Sequence, residues 1–243
     1  MMVTSMWAEI SLVLGAYLYG SIPFVWAMAR LRGINLREHG SRSISGSNLW
    51  QATGALEGVV AGLGDVTKGV VPVLIGRILG FDLAIICIAG LAAVAGQCWP
   101  VFLKFFGGRG GASSFGLAVM LAPKEFLIAV IPLVVAGLWR NIPLLLTSRG
   151  SKTGERLRFR QAPSDIVPLG MLLSFAILPL ITWLSGQPEV ISLAFVGVFC
   201  LLIARRLTAD VRRDLKEVPN KGVLMTIMVN RLLYDRSYRS GYR

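Results

Sequence analysis

The sequence predicts an all-α, polytopic integral membrane protein of about seven transmembrane helices, with the N-terminus outside and the C-terminus inside. Three observations predict it. The mean hydropathy is +0.65, with 54% hydrophobic residues against 16% charged, a balance that belongs to the membrane class. Charge falls in short bursts between apolar runs of roughly 18–25 residues, the length that crosses ~30 Å of hydrocarbon. The bursts are mostly basic, for a net charge of +12, and they fall on alternate loops.

Seven apolar runs are read as spans, at residues 6–29, 54–77, 81–103, 106–122, 125–146, 166–184 and 188–204. The first differs from a secretory signal: no positive segment precedes it, it carries Glu9, and it continues through Tyr19-Gly-Ser-Ile-Pro-Phe24 without a small-x-small cleavage site. The fourth is short and glycine-rich, as a broken or re-entrant segment would be. Alternation with the tail inside places 30–53, 104–110, 147–165 and 205–243 on the cytoplasmic side. Those segments hold 21 of the 25 Lys and Arg residues, ten of them from Arg205 onward. Arg77 and Lys124 fall outside, and Lys68 and Arg140 lie within spans. Seven spans therefore satisfy the positive-inside rule, whereas six put basic loops on the wrong side. Residues 1–204 read as the membrane domain. Residues 205–243 read as a basic cytoplasmic tail, where Arg and Lys alternate with Leu, Val and Met as in amphipathic surface helices. The 147–165 loop reads as a solvated, lipid-facing connector.

Composition also excludes functions. The pI near 10.4 invites nucleic acid, but the basic residues flank spans, where they orient the chain and attract anionic lipid headgroups. No nucleic-acid-binding motif accompanies them. Cys87, Cys98 and Cys200 lie in or beside apolar runs without C-x-x-C spacing, and His39 is the sole histidine. No metal site is expected, and no cofactor.

Three polar features on the cytoplasmic side are candidates for chemistry. The loop from Arg30 to Asn48 carries Arg30, Arg32, Arg37 and Arg42 among serines and glycines, donors that suit an anion such as phosphate. Its bland reading is a topology signal with flexible filler. Asp65 and Lys68 lie three residues apart within the second span, on one helical face where they can pair. Ionisable groups inside a span are costly and usually face a polar interior; the alternative is a structural ion pair between helices. In Phe105-Phe-Gly-Gly-Arg-Gly-Gly-Ala-Ser-Ser114 the glycines precede an expected helix start. Amides there, with Arg109 and the helix's positive end, form a nest for phosphate, although glycine turns also simply permit close packing.

Four ordered motifs carry a resemblance: Tyr17-Leu-Tyr-Gly-Ser-Ile-Pro-Phe24, Arg32-Gly-Ile-Asn-Leu-Arg-Glu-His-Gly-Ser41, Gly64-Asp-Val-Thr-Lys-Gly69, and Gly96-Gln-Cys-Trp-Pro-Val-Phe-Leu-Lys-Phe-Phe-Gly-Gly-Arg-Gly110. In that order they resemble the bacterial acyl-phosphate-dependent glycerol-3-phosphate acyltransferase family, over roughly residues 12–120. The family's Gly-Ser-Gly-Asn-x-Gly-Ala-Thr-Asn loop reads Gly40-Ser-Arg-Ser-Ile-Ser-Gly-Ser-Asn48 here. Gln97 stands where the family has histidine, Phe106 where it has lysine, and Gln51 near the place of a basic residue. The family's later motifs are not recognisable, although Arg206 to Arg213 fall near the last of them.

The resemblance implies a seven-span protein of the bacterial inner membrane, with membrane lipids around it. Its substrates would be glycerol 3-phosphate and acyl phosphate, and its product lysophosphatidic acid, a step of phospholipid synthesis. Acyl phosphate is already activated, so alignment and charge neutralisation carry the catalysis. The chain agrees, having no Ser-His-Asp set and no paired carboxylates in a motif loop. The residues expected to act are Arg109, Lys68, Ser41 and Asn48. Phosphate contacts are expected from Arg37, Ser47, Gly107, Gly108, Gly110 and His39, with Asp65 orienting Lys68. The rival expectation is an inactive paralogue that serves as a membrane scaffold or transporter. It draws on Gln51, Gln97 and Phe106, but the chain lacks the internal symmetry typical of transporters.

Overall fold

The computed structural model describes residues 5–40, 43–146, 166–209 and 224–235. Ser41 and Arg42, the 147–165 loop and most of the tail beyond residue 209 lie outside the described residues. Among the described residues every regular element is helical. In chain order they are α1 (Met6–Gly20), α2 (Phe24–Leu31), α3 (Gly46–Thr53), α4 (Ala55–Ile78), α5 (Leu83–Cys98), α6 (Gly111–Leu121), α7 (Pro123–Ala129), α8 (Ile131–Leu146), α9 (Ile166–Leu184), α10 (Glu189–Thr208) and α11 (Leu224–Tyr234). Among the described residues five segments are long and apolar enough to cross a membrane: Met6–Leu31, Ala55–Ile78, Leu83–Leu103, Ile166–Leu184 and Glu189–Thr208.

Several expected boundaries move, each for a local reason. The first run divides at Ser21–Pro23, because proline lacks the amide that would continue α1. The expected 81–103 span stops being α-helical at Cys98, next to Pro100, and a single 3-10 turn follows at Val101–Leu103. The expected 106–122 span begins only at Gly111. Its 11 residues rise about 16 Å, roughly half of a hydrocarbon core. The expected 125–146 span is two helices, α7 and α8, separated at Val130. Within the 30–53 loop, α3 forms where filler was the simpler expectation. Ser45 caps it, its side chain accepting the Asn48 amide, and Leu49 is completely buried.

Helices α4 and α5 form the centre, α5 packed against α1, α4 and α10 and α4 also against α2, α3 and α6. Lipid tails are as apolar as leucine, so close backbone approach holds such helices together. Glycines supply it here. A Cβ on Gly20 would collide with the Ala93 carbonyl, and one on Gly96 with the Tyr17 carbonyl, so α1 and α5 interlock at both points. The α4–α6 crossing repeats the device, Gly69 lying against Ser113 and Gly116 against Val66. The main buried cluster joins α5, α6, α9 and α10 through Val94, Leu117, Phe175, Phe195, Val198 and Leu202. Phe115 packs edge-on between Phe126 and Phe175, at 5.2 and 5.6 Å between ring centres.

Candidate functional site

The polar centre starts from Asp65 and Lys68, one helical turn apart on α4. Both are buried, and Lys68 Nζ lies 2.7 Å from Asp65 Oδ1. The ammonium also sits 5.4 Å from the ring centre of Phe24 at the start of α2. A buried charge needs a partner and further polar neighbours, and Gln97 near the end of α5 lines the same cleft beside Asp65.

Gln97 also ties three elements together. Its side-chain oxygen accepts the Ser113 amide of α6 at 3.2 Å, and its backbone carbonyl accepts the Gly108 amide at 3.0 Å. The glycine turn is therefore stitched to α5 and α6 beside the ion pair. Glycine is required there sterically, because a Cβ on Gly107 would strike Pro100 and the Gln97 carbonyl. Gly110 has φ +80° and begins α6; its carbonyl accepts both the Ser113 and Ser114 hydroxyls, at 3.0 and 2.9 Å.

Above these groups opens a narrow cleft, lined among others by Ser21, Asp65, Lys68, Gln97, Gly107 and Gly108. Lys68 has three N–H donors and Asp65 engages one edge of them, leaving capacity for an anionic oxygen.

The turn is braced from behind. Arg205, buried at the end of α10, donates from Nε to the Gly108 carbonyl at 2.9 Å and from Nη2 to the Gly107 carbonyl at 2.8 Å. Arg206 next to it donates to the carbonyls of Pro168 and Leu232, both at 2.7 Å. From the opposite side Arg37 reaches the turn, with Nη2 3.4 Å from the Phe106 carbonyl and its guanidinium 5.5 Å from the Phe106 ring centre.

The expected site residues thus divide. Asp65, Lys68, Gly107 and Gly108 line one cleft. The Gly108 amide is already engaged by Gln97, a correction to the expectation that it faces a ligand. Arg109 follows directly in the turn but pairs with Asp235 beyond α11, Nε to Oδ1 at 3.1 Å. Gly110 serves as the helix cap. Asn48 is buried, and its amide donates to the carbonyls of Leu36, His39 and Ser43, at 3.3, 3.2 and 2.9 Å. It clips the first loop into shape rather than standing open. Ser47 is exposed, 3.3 Å from the Ser45 hydroxyl. His39 is exposed with Nδ1 2.9 Å from the Asn35 carbonyl, and Ser41 lies outside the described residues.

Sequence reading gave no role to Ser21, which lines the cleft, or to Arg205, which braces the turn from behind, and it noted Gln97 only as a departure from the family. A polar residue inside the third apolar run and an arginine at the end of the last were visible signals. Their burial and partners were not.

A buried lysine–carboxylate pair beneath a glycine turn, within a helical bundle of apolar spans, defines a multi-pass membrane protein with an anion-suited polar centre. The comparisons with known proteins agree. A family model described as glycerol-3-phosphate acyltransferase matches residues 10–148. Glycerol-3-phosphate acyltransferase 5 of Dehalococcoides mccartyi is 32% identical over 238 residues, covering 95% of this chain and 90% of that protein. The glycerol-3-phosphate acyltransferase of Rubrobacter xylanophilus is 43% identical over 115 residues, 47% of this chain and 58% of that protein. Among solved structures, PlsY (YgiH), an integral membrane glycerol 3-phosphate acyltransferase, superposes in its glycerol 3-phosphate form with a TM-score of 0.70 at 27% identity, covering 96% of both chains. Its lysophosphatidic acid form gives 0.67 at 26%. The chain belongs to the glycerol-3-phosphate acyltransferase family.

Proposed function

We propose that the protein transfers an acyl group from acyl phosphate to glycerol 3-phosphate, forming lysophosphatidic acid in the bacterial inner membrane, with its cleft open to the cytoplasm. The observation that carries this reading is the Asp65–Lys68 pair, buried in one cleft with Gln97 and the Gly107–Gly108 turn. The glycerol 3-phosphate form of a similar structure supports the choice of acceptor.

The chemistry asks little of acid–base groups. A glycerol hydroxyl attacks the carbonyl carbon of the mixed anhydride, and the new ester C–O bond forms. The bond from that carbon to the phosphate-bearing oxygen breaks, and inorganic phosphate leaves. The hydroxyl proton ends on the departing phosphate or in water. Both substrates are anions, so the protein must hold like charges together and align two reacting atoms. Lys68, oriented by Asp65, supplies a fixed cation in a site shielded from water, where charge stabilisation is strongest. Arg37 and Arg109 flank the glycine turn and add cationic character, while Gly107 lets the turn pack closely on Pro100 and Gln97. Asn48 preserves the loop carrying Arg37, with Ser41, Ser47 and His39 as further polar groups of that loop.

The experiment offers purified protein in detergent glycerol 3-phosphate with acyl phosphate, acyl-CoA or acyl carrier protein. Lysophosphatidic acid forms from acyl phosphate. Product from a thioester donor alone removes the acyl-phosphate assignment, and no product from any donor removes the function.

A further inference from the structure

Between α5 and the glycine turn the chain forms a short aromatic hairpin to which the proposed reaction gives no part. The apolar span Leu83–Leu103 runs through its 3-10 turn. Beyond it Lys104 and Phe105 stand at φ +53° and +66°. Glycine adopts that backbone without strain and other residues rarely do, so a mere connection would carry glycine at both places. Here the tip turns side chains outward instead. Phe102 is 59% exposed, Phe105 55% and Phe106 56%, and Lys104 is exposed among them. Leu103 is the inward residue, packed against the cluster of Val25, Leu36 and Leu49, so the hairpin is fixed to the bundle.

Backbone and charge together say what covers the outward face. The Pro100 carbonyl accepts the amides of Leu103 and Phe105, at 3.2 and 2.9 Å. The Lys104 amide donates to Val101 at 3.2 Å and the Phe106 amide to Leu103 at 3.1 Å. A tip that satisfies these amides internally can lie against lipid, where unpaired ones are costly. Cations border it. Arg37 holds its guanidinium 5.5 Å from the Phe106 ring centre, and neither Arg37 nor Lys104 has a carboxylate partner among the described residues. Apolar side chains flanked by unpaired cations match acyl chains beneath anionic headgroups.

We propose that the hairpin 101–106 is a membrane-docking element: Phe102 and Phe105 enter the acyl-chain region of the adjacent leaflet, and Lys104 meets its anionic headgroups. Continuity with the span Leu83–Leu103 makes lipid the occupant. The glycine turn starts where the hairpin ends, so docking holds that turn at a set depth in the bilayer. No substrate contact is involved, and the docking stands or falls separately from the proposed function.

The test places the full chain in lipid nanodiscs, where both faces are open to solvent. Cys87 and Cys98 are buried, so Cys200→Ala combined with Phe102→Cys, Phe105→Cys or Glu38→Cys gives one accessible position for a small fluorophore. The three replaced side chains are exposed, and their exchange removes no core contact. Lipid carrying bromine on its upper acyl chains lowers fluorescence about two-fold at positions 102 and 105, as for side chains several ångströms below the headgroups. Aqueous iodide leaves both unchanged, and position 38 shows the reverse. Adding Lys104→Glu weakens bromine quenching at position 105 in phosphatidylglycerol discs and not in phosphatidylcholine discs. The proposal is overturned if iodide quenches positions 102 and 105 as it does 38. Shielding from both quenchers also overturns it, because a protein surface such as a second copy would then be the cover. An equal effect of Lys104→Glu in the two lipids overturns the headgroup contact.

Discussion

Replacing Lys68 with methionine tests the polar centre most severely. Methionine keeps most of the volume and removes the charge, leaving Asp65 as a buried carboxylate without its cation. Breaking a buried pair by removing one member costs about 3–5 kcal/mol, because the other charge is left uncompensated. Transition-state binding loses one charge-assisted contact, about 1.5–3 kcal/mol, which is roughly one to two decades in kcat/KM. The two losses separate in the Asp65→Asn/Lys68→Met double variant. Replacing a buried pair by neutral groups of similar volume is often close to neutral for stability, so the double variant regains most of the unfolding temperature and none of the activity. Thermal unfolding in detergent and initial rates of lysophosphatidic acid formation are the two assays. Wild-type stability and rate in Lys68→Met would refute the reasoning, since neither the pairing nor the cation would then matter.

Three further outcomes follow from the geometry. Gly116→Ala places a Cβ against the Val66 carbonyl and destabilises the protein by about 1–3 kcal/mol through overpacking, whereas Gly62→Ala on α4, with open space around it, is neutral or slightly stabilising; chemical unfolding compares them. Arg205→Met removes two charge-assisted bonds to the glycine turn and lowers kcat/KM at least ten-fold, measured as initial rates, while Arg205→Lys retains part of the activity through a single contact. In a cysteine-free background, single cysteines at Gly33 and Gln187 react with impermeant reagent from opposite sides of the membrane, Gly33 from the cytoplasm; labelling of both from one side would overturn the proposed orientation.

Helical architecture and the membrane class were legible because apolar length and composition decide them directly. The 166–184 run became α9 with the same bounds, since no charged residue interrupts it. Where glycine, proline and serine mix with apolar residues, hydropathy alone misplaced the ends. The first run breaks at Ser21–Pro23, and α6 starts five residues later than hydropathy suggests. Helix α3 was hidden by its polar composition, although Ser45 three residues before Asn48 was a visible cap signal. Its stability comes from packing on α4, where a Cβ on Gly46 would press on Gly58 and Gly62.

The centre of the site was legible for a different reason. An acid and a lysine inside an apolar run are too costly to be incidental, and their spacing already pairs them. What the sequence hides is how a side chain turns. Arg109 was expected to face a phosphate alongside Lys68, and in the structure it leans on Asp235, more than a hundred positions away. Gln97 looked like a loss relative to the family, and it is the residue that joins α5, α6 and the glycine turn. Neither arrangement has a local pattern, because each depends on which helices meet.

Under the proposed function, Lys68 holds the phosphate of glycerol 3-phosphate in the cleft beneath the glycine turn. Calorimetric titration of glycerol 3-phosphate into wild type and into the stably folded Asp65→Asn/Lys68→Met variant tests it most directly. Wild type binds saturably and the variant binds at least ten-fold more weakly, following the charge-assisted contact removed. Equal affinity in the two proteins would contradict it and place the substrate elsewhere.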